Sequence, residues 1–341
     1  MPTTAPLEHA VGTGVEVRSH PDCLLHVPPL GHPDTPVRLR ILLDELERAP
    51  VGWSVDREAP LPPEDDIVGV LKWVHSEEYL NRVRASSGRA PTWLDSHDCA
   101  VSEGTWAAVV ASAGLALQAA LDLVNERVAR VFLAVRPPSH HAERNRARGF
   151  CFVNSAALAA EVVVRSWGRP VLVVDLDARH GNGTQQQFWS HPAVGLVSVH
   201  GWSGFPETGG ADEVGADGGR GIIRNVPLAD GADDDVFCDA LESALDDVGR
   251  RLRPAAVVVS AGFNGHRDDP TGHLRLGPEA YRRATRAVVA VAERFGDGRV
   301  MSLLEGGYHP PGTAACARAH VEALAATPAL RSGADVDETV H

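Results

Sequence analysis

Two spacings of apolar residues run through this chain, and the switches between them predict its elements. Helical spacing begins at residues 36–49, where Val37, Leu39, Leu42, Leu43 and Leu46 share one face and Glu and Arg take the other. It returns at 104–124, 156–164, 234–252, 278–295 and 311–326. Between these segments lie short, almost unalternated apolar runs: VFLAV (131–135), VLVVDLD (171–177), VGLVSVH (194–200), AAVVVSAG (255–262) and RVMSLLEGG (299–307). Such runs suit strands buried on both faces, and strands separated by helices predict a parallel β-sheet flanked by helices on both sides. The first 30 residues, rich in Pro, Gly and His, read as irregular entry structure. No repeat, low-complexity tract or linker divides the chain. A single α/β domain is expected over 1–331, with a loose polar tail at 332–341.

In open parallel sheets, sites form beyond the carboxyl ends of the strands. Here those ends carry RPPSHHA (136–142), DLDARHGNGT (175–184), SAGFNGHRDDP (260–270) and EGGYHP (305–310), which hold most of the unusual polar residues. Composition narrows the partners. A net charge of −13 disfavours nucleic acid and anionic membranes, and a neutral or cationic small substrate suits it better. There is no signal-peptide pattern and no uninterrupted apolar run of roughly 18 residues. The five cysteines, Cys23, Cys99, Cys151, Cys238 and Cys316, are scattered and form no CxxC pair, so a reduced cytoplasmic setting is expected.

The chemistry-bearing residues each carry a plain alternative. Asp175 and Asp177 near the end of an apolar strand are costly unless paired or bound to a cation. Capping, or a salt bridge with Arg179, would serve equally. Arg179 shares their face if the strand continues. The adjacent His140 and His141 suit proton transfer, although histidines also cap loops. Asp269 could supply a further oxygen ligand or simply open a turn before Pro270. Tyr308, after Gly306 and Gly307, could donate its hydroxyl to a developing oxyanion or lie partly buried.

Taken in order and spacing, RPPSHHA, GFCFVNS (149–155), VDLDARHGNGT (174–184), SAGF with DDP (260–270) and EGGY (305–308) resemble the histone deacetylase and acetylpolyamine amidohydrolase superfamily, with its arginase-like fold. CLLHVPPLGHPDTPVRLR (23–40), WVHSEEYLNRV (73–83), GFPETG (204–209) and GGRGIIRNVPL (218–228) extend the resemblance over nearly the whole chain. It implies deacylation of an acylated amine, such as acetyl-lysine or an acetylpolyamine, by a zinc ion that polarises the amide and activates a water. By motif position Asp177 and Asp269 would be two of the metal ligands. His141 would be the general base and acid, His140 its partner oriented by Asp175, and Asn182 would hydrogen-bond His141. Tyr308 would complete the oxyanion site. Phe150 and Phe205 would wall the acyl-lysine tunnel, Gly149 and Gly307 would lie against the substrate, and Asp98 would grip its backbone from the rim. A structural K+ or Na+ would sit near Asp175, Asp177 and Ser198.

One departure matters most. The family pattern Asp-x-Asp-x-His-His-Gly reads here Asp175-Leu176-Asp177-Ala178-Arg179-His180-Gly181, so Arg179 stands where the third metal ligand is expected. Arginine stays protonated and offers only donors. Set between Asp177 and Asp269, its guanidinium would bind both carboxylates and fill the metal's place. His180 would face away from the site. Asn264, Ser139 and Glu207 are smaller departures; Glu207 would alter the entrance, and His266 could offer a replacement ligand. Three functions are compatible with this sequence: an amidohydrolase with an impaired zinc site, a metal-free binding protein, or a metal-independent enzyme of specialised metabolism that uses Arg179 to hold an anion.

Overall fold

The computed structural model describes residues 14–326 apart from 49 and 203. The tail expected at 332–341 lies outside the described residues. In chain order the elements are β1 (Val15–Arg18), α1 (Pro36–Arg48), β2 (Trp53–Asp56), α2 (Glu64–Leu71), α3 (Glu77–Ser87), β3 (Thr92–Trp93), β4 (Ala100–Val101), α4 (Thr105–Val124), β5 (Arg130–Leu133) and α5 (Ser155–Trp167). They continue with β6 (Val171–Asp175), α6 (Asn182–Phe188), β7 (Val194–Gly201), β8 (Ile223–Leu228), α7 (Asp234–Leu252), β9 (Ala256–Ala261), α8 (Pro278–Phe295), β10 (Val300–Leu304) and α9 (Pro310–Ala325).

Eight strands form one sheet in the order β2-β1-β5-β10-β9-β6-β7-β8, and every neighbouring pair is parallel. The central strands β6, β9 and β10 are buried at every residue. Their uninterrupted Val, Leu and Ala runs follow from that, since helices cover both sides. One helical layer joins α1, α9, α8 and α7, and α4 and α5 pack together on the other face. α8 buries Tyr281, Ala284, Val288 and Ala292 at helical spacing, and Pro278 occupies its first turn. In α7 the Asp233 side chain accepts from the Val236 amide; Asp234 and Asp235 lie in the first turn and Arg250 and Arg251 in the last. Each charge therefore opposes the nearer end of the helix dipole.

The structure corrects several expectations from the sequence. The entry segment contains β1, an internal strand whose alternating VEVR pattern looks unlike the other core strands. β2 and β8 are also sheet members that short or mixed patterns concealed. β6 stops at Asp175, so Asp177 and Arg179 lie on a bend beyond it and strand alternation does not set their directions. α4 is long and apolar enough to cross a membrane by length and composition, yet most of it is buried inside the protein.

Candidate functional site

The order β5-β10-β9-β6 sets four motif-bearing strand ends side by side. The turn after β5 presents His140 and His141, and its conformation is held from the end of β10. There the buried Glu305 carboxylate accepts the Ser139 amide at 2.5 Å, the Ser139 hydroxyl at 2.5 Å and the His140 amide at 3.1 Å. A second buried network backs this one. Asp34 accepts from Arg38 and Arg136, each at 2.7 Å, and Arg38 also donates to the Glu305 carbonyl at 2.9 Å. Sequence reasoning missed Glu305, Asp34, Arg38 and Arg136, because apart from the Asp34–Arg38 pair, four residues apart, their partners are distant in the chain. The one available signal was charge in segments that otherwise read as buried or motif-rich.

The two histidines are held for different work. His140 Nδ1 donates to Asp175 at 2.8 Å, and His141 Nδ1 donates to the Asn182 side-chain carbonyl at 2.8 Å. Their rings lie 3.9 Å apart. Burial by itself would lower the His140 pKa, but Asp175 and Asp177 outweigh it and push it up to about 10. Burial and the neighbouring His140 hold His141 well below the ordinary value. Near neutral pH the pair therefore carries one positive charge, on His140. His141 keeps a lone pair on Nε2, as a general base requires.

The carboxylates expected to bind metal are engaged by neutral donors. Asp177 accepts the Arg179 amide at 2.9 Å and the Asn264 side-chain amide at 2.8 Å on one oxygen, and the Gly306 amide at 3.0 Å on the other. Asp269 accepts the Thr271 amide at 2.9 Å and hydroxyl at 2.8 Å, and on its second oxygen the Tyr308 amide at 2.6 Å and the His309 amide at 3.2 Å. A side chain on residue 306 would come within 2.5 Å of Asp177, so only glycine lets this turn approach the carboxylate.

Arg179 does not lie as its place in the sequence suggested. Its guanidinium donates to the Phe205 carbonyl at 3.3 Å and the Thr271 carbonyl at 2.5 Å. Among the described residues no ion pair joins it to Asp177 or Asp269, whose oxygens are already occupied by the donors just named. Rather than filling the space between the carboxylates, it ties the Phe205 loop to the loop after Asp269.

These groups surround a cavity of about 270 Å³. His140, His141, Asp177, Arg179, Asn264, Thr271 and Tyr308 line it together with Phe150, Phe205, Gly149 and Asp98. Phe150 meets Tyr308 edge-on at 5.5 Å, and Phe205 meets His141 edge-on at 4.9 Å. Burial raises the Tyr308 pKa well above its usual value despite the nearby Arg38, so its hydroxyl keeps its proton as a donor. Gly149 adopts φ +58°, and a side chain there would strike the His141 ring. Asp98 accepts the Gly149 amide at 3.0 Å and the Ser96 hydroxyl, so it braces the rim.

Other expected residues fall outside the cavity wall. Asp175, Asn182, Asp269 and Gly307 stand behind it, the first three as partners of lining residues. Ser198 pairs in register with Asp175 but bonds His200 at 2.9 Å. His180 turns away to Thr208 and Gln185, as expected. Glu207, next to Phe205 in the chain, is exposed. His266 does not line the cavity, so it supplies no replacement ligand there.

Comparison with known proteins decides the family. The histone deacetylase domain family matches residues 32–324. The chain belongs to the histone deacetylase family. It is 35% identical over 300 residues to Histone deacetylase 15 of Arabidopsis thaliana, covering 86% of this chain and 52% of that protein. It thus spans about half the length of that relative. It is 34% identical over 261 residues to an acetylpolyamine amidohydrolase of Burkholderia pseudomallei, covering 75% of this chain and 73% of the relative. Among solved structures, the HDA15 HD domain matches with a TM-score of 0.83 at 33% identity, covering 93% of this chain and 91% of the other. The α/β deacetylase-like fold expected from the sequence is therefore shown.

A zinc centre with three protein ligands requires three lone-pair donors. The residues here do not fit one. Asp177 and Asp269 offer two carboxylates already bonded to amides, and Arg179 offers none.

Proposed function

We propose that this chain receives an acylated amine in the tunnel between Phe150 and Phe205, and that Arg179 impairs its zinc-dependent deacylation. The observation carrying this is the direction of the Arg179 guanidinium, which donates to two loop carbonyls beside Asp177. It supplies no lone pair to a metal. Acyl-amine binding is supported by the aromatic walls, and by the acetyl-lysine or acetylpolyamine chemistry that the family resemblance implies. On this reading Tyr308 donates to the acyl oxygen, while His141 accepts a proton from whatever group is poised at Nε2. The His141 ring packs against His140 and Phe205 and lines the cavity that would receive the acyl group.

The intact pairs His140–Asp175 and His141–Asn182 favour a working proton relay over a decayed site. For that reason a metal-independent reaction stands as the second reading, ahead of a binding protein with no chemistry. The deciding experiment compares the natural protein with Arg179→His. After dialysis, Arg179→His should retain about one more zinc per chain than its parent and hydrolyse an acetyl-lysine peptide or acetylspermidine at least ten-fold faster, the lower range for restoring even an indirect contributor to a metal site. Equal zinc content in the two proteins, or robust hydrolysis by the parent, overturns the reading.

A further inference from the structure

Outside the tunnel, metal-ligating side chains converge a second time, where the loop after β9 meets the start of α9. His266, Asp268 and His309 each offer a ligand atom, and the three atoms lie within 4.8 Å of one another. We propose that these three residues bind a zinc-class divalent cation at a site separate from the tunnel, with a coordination position left open to solvent.

The donor chemistry is apt. Two imidazoles and one carboxylate suit borderline dications such as Zn2+, Ni2+ or Co2+ better than Mg2+ or Ca2+, which prefer all-oxygen sites. The imidazoles are stacked 5.6 Å apart and inclined by 21°. His266 Nδ1 accepts the Asp268 amide at 3.2 Å, and His309 Nδ1 accepts the Gly312 amide at 3.3 Å. In the neutral rings the proton is therefore on Nε2, and both Nδ1 atoms carry lone pairs. Gly312 keeps those nitrogens approachable: a side chain there would come within 2.6 Å of His266 Nδ1 and 2.8 Å of His309 Nδ1. The Asp268 carboxylate is exposed and stands 3.8 Å from His266 Nδ1, free to swing. A tetrahedral zinc with ligands at about 2.0–2.1 Å holds them roughly 3.4 Å apart, so about 1–1.5 Å of side-chain closure is needed. Binding exchanges two long hydrogen bonds for metal bonds.

The location gives the site a consequence. Asp268 precedes Asp269, His309 follows Tyr308, and one Asp269 oxygen accepts both the Tyr308 and His309 amides. A cation here would clamp together the two segments that position Tyr308. The inference does not depend on what Arg179 does.

The test uses the full chain and zinc chloride alone, read by equilibrium dialysis with elemental analysis and by the shift in Tm. Three variants are compared: Asp268→Ala, at an exposed position; His309→Asn, which loses the imidazole yet keeps a side-chain acceptor for the start of α9; and Asp177→Asn, inside the tunnel. The natural protein and Asp177→Asn should each hold one zinc and gain Tm with it. Asp268→Ala and His309→Asn should bind at least ten-fold more weakly and show no such gain, with unchanged far-UV circular dichroism. Undiminished binding in those two variants overturns the proposal, as does failure of the natural protein to retain zinc, and the latter result leaves the Arg179 reading standing. Loss of zinc in a folded Asp177→Asn alone would place the metal in the tunnel and overturn both.

Discussion

Glu305 illustrates how much of the site rests on residues that never line it. Its buried carboxylate accepts three donors from Ser139 and His140, and burial raises its pKa while His140 opposes the rise. Glu305→Leu removes both acceptor oxygens and leaves the buried Ser139 and His140 amides without their partner. Leaving a buried donor unsatisfied costs about 1–3 kcal/mol, and that loss is expected in urea denaturation. A stability equal to the natural protein's would show that the carboxylate is not what holds the turn. Arg179 teaches the complementary lesson. Its identity and its inability to bind metal are visible in the sequence, but its direction is not. Once the Asp177 and Asp269 oxygens accept amides from the bend itself and from the Gly306–His309 turn, carbonyls of the neighbouring loops become its partners.

At the scale of elements, loops do the positioning while strands only deliver them. The segment 149–150 runs through two successive left-handed residues, Gly149 at φ +58° and Phe150 at φ +66°. This brings the backbone against His141 and turns the Phe150 ring toward Tyr308. Gly149→Ala should therefore cost about 1–3 kcal/mol from backbone strain, with further cost from collision with the imidazole. The check is a denaturation midpoint together with ligand-induced protection of the tunnel; an unchanged midpoint would refute the close approach. The sequence predicted α7 and α8 at their observed bounds, because an amphipathic period carries its own register. It overextended β6 and missed β1, since a strand's limits are set by neighbours it pairs with, not by its own residues.

At the scale of the whole molecule, burial leaves a pH signature. It lowers the pKa of His26, His75 and His180 to about 4 and of His200 and His320 to about 3, and with help from His140 it holds His141 well below its ordinary value. Between pH 6.5 and about 4 the unfolded chain binds protons that the folded chain refuses, so stability falls as pH falls through that window. Asp175 and Glu305, raised by burial, act in the opposite sense but are outnumbered. His140, raised to about 10, contributes stability that is complete below its unfolded value and fades as pH climbs from about 6.5 to 10. A Tm series across pH 4–10 should peak near neutrality and drop on the acid side; a flat or rising acid limb would contradict the neutral buried histidines.

Residue by residue, the sequence settled what could be present: a parallel α/β sheet, an ordered set of family motifs at strand ends, and an arginine that cannot ligate metal. Those properties are local, carried by apolar period and by side-chain chemistry. The tertiary structure decided which groups meet. The order β5-β10-β9-β6 joins strand ends that are far apart in sequence, places Glu305 under the histidine turn, sends Arg179 to the Phe205 and Thr271 carbonyls, and draws His266, Asp268 and His309 together. Such contacts are fixed by competition among all nearby donors and acceptors for a limited set of buried partners, and that competition takes place only once the chain is folded.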